Sequence, residues 1–173
     1  MKSPIIIGDP IRIDFLPELS CWQGKLLSRD QRGEEIHGTS FLRERRIVLD
    51  SELVRDWPEL SRILVHELFH FAWVRLGNPR RHSYEKLLKQ EIVAKARGEL
   101  GWSAERRKNL LTSANIFERS RKWREYAAES FCDTSAYLYS ESRQHKEYTL
   151  SKRCRLRRLA WFDENVAAQL LHF

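Results

Sequence analysis

Residues 60–76 form an apolar run of helix length whose middle holds two histidines and a glutamate that it cannot hide without partners. Leu60, Ile63, Leu64, Val65, Leu68, Phe69, Phe71, Ala72, Trp73 and Val74 occupy nearly every side of a helical wheel, so the segment reads as a helix buried over most of its surface. In its middle stand His66-Glu67-Leu68-Phe69-His70. Imidazoles and a carboxylate placed inside such a helix are costly unless something pairs with them. The ends of the helix are well marked. Asp50-Ser51 can cap a short helical turn through Trp57, Asp56 followed by Pro58 can start the main helix, and Gly77-Asn78-Pro79 stops it.

Residues four apart on a helix share a face, so His66 and His70 can converge on one ion. Glu67 lies about 100° around the helix from His66, within reach of a water on that ion without being a ligand. This is the H-E-x-x-H arrangement of zinc hydrolases, and its bland alternative is a pair of hydrogen-bonded core histidines. Zinc, the cofactor expected here, takes a third protein ligand and keeps a fourth position for water. Two places offer that ligand. His82 follows His70 by twelve residues, and a stripe of Glu125, Ala128, Glu129, Cys132, Asp133 and Ala136 runs along a predicted helix over 121–139. The extended pattern H-E-x-x-H-x-x-G-x-x-H is excluded, because Trp73 and Leu76 stand at its glycine and histidine positions.

Glu125-Tyr126-Ala127-Ala128-Glu129-Ser130-Phe131-Cys132 resembles the E-x-x-A-[EDN]-x-F-[small] signature of compact gluzincin metallopeptidases, the ImmA/IrrE-like peptidases among them. The resemblance covers residues 36–140 in order of elements and is confined at letter level to the two motifs. It implies a zinc metalloendopeptidase acting on a protein or peptide substrate. In it His66, His70 and Glu125 bind the metal, Glu67 is the general base, and Glu129 accepts from one imidazole and holds it in its metal-binding tautomer. A register one turn later, with Glu129 and Asp133 as the acids, stays open. A second reading draws on a loose similarity of His66–Trp73, followed by His82, to SprT-type DNA-associated proteases, with His82 as third ligand. A third is a non-catalytic metal-binding module that meets its partner through a basic surface; the intact Glu67 argues against it.

The rest of the chain sets the scaffold. Residues 5–16, with Ile11, Ile13 and Phe15 on one face, and residues 22–27 read as strands, and 34–42 with 46–49 as a hairpin. An exposed edge of that hairpin can hold an extended peptide by main-chain hydrogen bonds. Helices are expected over 83–99, 103–117 and 121–139, and an amphipathic terminal helix over 155–173. The fold class expected is α+β and zincin-like: one domain over 1–173, mostly β to residue 50 and mostly α beyond, its small mixed sheet packed on a helical body. The net charge of +7 suits a solvated basic surface, and nucleic acid stays open as a partner without any motif to name it. Cys21, Cys132 and Cys154 form no C-x-x-C pair, and no run has transmembrane length, so a reduced, cytoplasmic protein is expected.

Overall fold

The computed structural model describes residues 4–142, 144–167 and 170–172. Strands dominate to Asp50 and helices follow. β1 (Ile5–Ile7), β2 (Arg12–Leu16), β3 (Leu19–Trp22), β4 (Lys25–Ser28), β5 (Glu34–Glu35), β6 (Gly38–Phe41) and β7 (Arg46–Asp50) precede a 3₁₀ turn over Ser51–Arg55. Then come α1 (Trp57–Arg75), α2 (Asn78–Val93), α3 (Trp102–Asn109), α4 (Ser113–Phe117), α5 (Arg121–Tyr139), α6 (Lys152–Phe162) and β8 (Leu170–His172). The architecture is α+β, with small sheets on a helical body.

The mixed sheet runs β2-β7-β6, with β2 parallel and β6 antiparallel to the central β7. Ile47, Val48 and Leu49 of β7 are fully buried, as a central strand with both faces covered should be. β6 lies at the edge and packs on α1. A second sheet, β4-β3-β5, holds what reads in sequence as one strand over 22–27. The chain instead reverses at Gln23-Gly24, both with positive φ (48° and 76°), the geometry of a primed hairpin turn.

α1 begins at the Asp56 cap, whose carboxylate accepts from the Glu59 amide, and ends before Gly77, which turns the chain at φ 80°. Gly77-Asn78-Pro79 is thus also the start of α2, which opens and closes earlier than the 83–99 pattern suggests, with Pro79 in its first turn. The 103–117 segment is two helices because Thr112 and Asn115 form a reciprocal capping box that restarts the backbone. The largest departure is the tail. Its apolar spacing carries a helix only to Phe162, a π-helical turn spans Asp163–Ala167, and residues 170–172 pair parallel with β1. Short apolar runs are ambiguous between helix and strand, and here pairing with a strand from the opposite end of the chain decides.

The core is aromatic. Phe69, Trp73, Tyr84, Phe131, Trp161 and Phe162 lie together, with Phe131 stacked on Phe162 at 5.0 Å. An ion cluster lies beside this core. The Arg158 guanidinium, wholly buried, meets Glu91 at 2.7 Å and Glu99 at 2.8 Å and donates to Thr134 Oγ1 at 3.2 Å. Those contacts tie α6 to α2, to the segment before α3 and to α5. Replacing Arg158 with Met leaves Glu91 buried without its cation, while Glu99 keeps Lys108 at 3.0 Å; breaking such a buried pair costs about 3–5 kcal/mol. Urea unfolding of Arg158→Met should show that loss; a change under about 1 kcal/mol would contradict the role given to this cluster.

Candidate metal and catalytic site

α1 and α5 pack along much of their length, and their contact is where the ionisable groups meet. His66 and His70 lie one turn apart on α1 with ring centroids 5.0 Å apart. One nitrogen or carboxylate oxygen from each of His66, Glu67 and His70 falls within 4.8 Å of the others. His66 and Glu67 are buried and His70 is half-buried. The pentapeptide is thus brought together as a local cluster, as helical spacing requires.

α5 supplies the partners. His66 Nδ1 lies 2.8 Å from Asp133 Oδ1, and His66 Nε2 lies 3.3 Å from Glu129 Oε2. Glu125 is not part of this meeting. Its side chain is 44% exposed and bonded to Arg121 one turn back, at 2.7 Å. The structure thus brings Glu129 and Asp133, the acids of the later register, against His66, while Glu125 stays apart. Trp123, Tyr126, Ala127, Ser130 and Phe131 are buried against the core, and Glu125, on the same stripe as Glu129 but one turn nearer the start of α5, stays exposed beside Arg121. His82 falls in α2 near Glu85; the one tight group of possible ligands among the described residues is His66, Glu67 and His70, and Glu129 joins it through its contact with His66 alone.

Each acid is held by more than the histidine. Asp133 Oδ2 accepts from the Ala104 amide at 2.9 Å, supplying the first turn of α3 with the cap that Gly101 cannot. A Cβ on Gly101 would lie 2.2 Å from the Asp133 carboxyl carbon, so only glycine lets the two approach. Glu129 Oε1 meets Arg107 at 3.1 Å. On the opposite wall, Ser40 of β6 donates to Glu67 Oε2 at 2.8 Å. Gly38, on the same face of that strand, brings the backbone close; a Cβ there would sit 3.3 Å from Glu67 Cγ. Ser40, Arg107 and Gly101 are not apparent from the sequence. The period of two that puts Gly38 and Ser40 on one face of a strand is the only signal that could have shown part of this wall.

The site opens into a cleft of about 390 Å³ whose lining includes His66, Glu67, Gly38, Arg62 and Trp102. The donor set suits zinc. Two imidazoles and one carboxylate are its usual ligands, and in a tetrahedron with bonds near 2.0–2.1 Å neighbouring ligand atoms lie about 3.3 Å apart, the His66–Glu129 separation. Asp133 on Nδ1 leaves Nε2 as the outward nitrogen, the usual arrangement for a metal-binding histidine.

Without metal the same groups form an ion cluster. Burial works against a charged His66, but the Asp133 charge and hydrogen bond, with Glu129 and Glu67, outweigh it and raise its pKa well above the ordinary value. Burial likewise opposes an ionised Glu129, yet the His66 hydrogen bond and the charges of His70, His66 and Arg107 hold its carboxyl down to about 2. A depressed acid stabilises the fold above its unfolded value near 4.5, and that contribution fades as pH falls toward 2. The stability gap between metal-free wild type and Glu129→Gln should therefore be full at pH 5–6 and close on acidification, read as urea midpoints; a gap indifferent to pH would contradict the pairing. No protein-family model, no curated protein and no solved structure matches the chain.

Proposed function

We propose that the chain is a zinc-dependent peptidase of zincin-like fold, with His66, His70 and Glu129 as the residues that hold the metal and Glu67 as the general base. The observation that carries this reading is the convergence of Glu129 on His66 from a second helix, while Asp133 occupies the other imidazole nitrogen. A cluster serving only to satisfy core histidines would not require Glu67 as well, buried and aimed into an open cleft.

Zinc bound there would supply Lewis acidity, acidifying water and polarising a carbonyl. The chain's own groups do the rest. Asp133 fixes the tautomer and tilt of His66, and Arg107 steadies Glu129. Ser40 holds one oxygen of Glu67, leaving the other to take the proton of the attacking water and return it to the leaving amine. β6, at the edge of its sheet and beside Glu67, offers unpaired main-chain groups to an extended substrate. A small mixed sheet whose antiparallel edge strand flanks the metal helix is what the zincin-like reading requires.

The reading with His82 as third ligand draws no support from its place on α2. Among the described residues no helix is long and apolar enough to cross a membrane.

The test uses zinc-loaded protein and a disordered protein substrate such as casein. Wild type should release fragments, and Glu67→Gln should keep its zinc while losing activity by about 10²–10⁴-fold, the usual worth of a general base. A Glu67→Gln protein as active as wild type at equal zinc content would overturn the assignment.

A further inference from the structure

Arg106 shows how the mouth of the cleft can seat a guanidinium. It projects from α3, with its guanidinium carbon 5.1 Å from the centroid of the Trp102 ring and Nη1 2.5 Å from both oxygens of Glu34. Trp102 and Glu34 line the cleft, whereas Arg106 lines a shallower depression on the outer side of α3 with Trp102 and Leu110. The chain's own side chain thus reaches to the cleft edge and takes an aromatic face and a carboxylate that belong to the cleft.

The electrostatics point the same way. The chain carries a net charge of +7, yet the cleft is lined by Glu34, Glu35, Glu67, Asp133 and Glu147 against Arg62 and His66. Glu67, Asp133 and Glu147 are engaged deeper in, by Ser40, His66 and Arg62. Glu35 forms no ion pair among the described residues. An acidic cleft in a basic molecule repels acidic chains and concentrates cationic ones inside. Glu34 and Glu35 precede Gly38 by a few residues, so a peptide laid along β6 passes near them.

We propose that Glu34 and Trp102 form a guanidinium-binding subsite of the cleft, selecting substrates that carry an arginine side chain, and that Arg106 fills this seat in the free chain. As a substrate subsite it rests on the peptidase reading above. Arginine fits better than lysine, because a planar fork can bond a carboxylate while stacking on an indole. Displacement is easy. Arg106 and Glu34 are 48% and 46% exposed, and an ion pair that open contributes little. The outer depression gives Arg106 a place to turn without moving its helix.

The test is binding, which needs neither metal nor hydrolysis. A blocked pentapeptide with central arginine, and its neutral citrulline counterpart, are titrated into metal-free wild type, Arg106→Ala and the double variant Arg106→Ala/Glu34→Gln, followed at the Trp102 indole resonance. Emptying a seat occupied by a weak exposed pair should tighten arginine-peptide binding about fivefold. The citrulline peptide should bind at least about tenfold more weakly than the arginine peptide to Arg106→Ala, and the double variant should lose the discrimination. Both changes are at exposed positions, and matched melting curves check that the fold is intact. Equal affinity of wild type and Arg106→Ala for the arginine peptide, or no preference over citrulline, would overturn the subsite. If zinc-loaded wild type cleaves casein while these titrations fail, the subsite falls and the peptidase reading stands; the reverse outcome separates them the other way.

Discussion

One imidazole holds the two long helices in register. His66 projects from α1 into the face of α5, with Asp133 on one nitrogen and Glu129 on the other. Asp133 spends its second oxygen on the first turn of α3, and Glu129 its second oxygen on Arg107 of the same helix. Three helices are thus fixed to one buried side chain. Such a polar cluster tolerates little slippage, because a shift of one turn on either helix strands several buried charges at once. The aromatic core supplies the cohesion on one side of α5, and the ion cluster sets the alignment on the other.

The opposite wall is built with the same economy of space. β6 runs along α1 with glycine and serine facing it, so the strand comes close enough for Ser40 to hold Glu67 while its outer edge stays free. The buried base, His66 and Gly38 of the edge strand then border one cleft. Its acidic lining contrasts with the basic exterior, and Arg106 bridges the two at the mouth. In this chain the charge that matters for partners is the local one in the cleft rather than the sum over the molecule.

Much of this was legible in the sequence where short-range rules apply. α1, its caps and the pairing of His66 with His70 follow from helical spacing and from Asp56, Pro58 and Gly77, and the bounds of α5 follow from its apolar stripe. The α+β class was legible too. Which acid of α5 meets the histidines was not, because Glu125, Glu129 and Asp133 share one stripe of that helix, and only its packing against α1 decides which of them lie at the level of His66. For the same reason Glu125 matched a pattern in letters while pairing with Arg121 in space. The pairing of residues 170–172 with β1, and the contacts of Ser40, Gly101 and Arg107, depend on segments distant in sequence and leave no local periodicity to read.

The central claim is that Glu129, from α5, completes the histidine pair. Zinc content measured by atomic emission on purified wild type, Glu129→Ala, Glu125→Ala and His82→Ala tests it directly. One equivalent should remain in wild type, Glu125→Ala and His82→Ala, and be lost on gel filtration only from Glu129→Ala. Retention of zinc by Glu129→Ala, or its loss from Glu125→Ala or His82→Ala instead, would contradict the account.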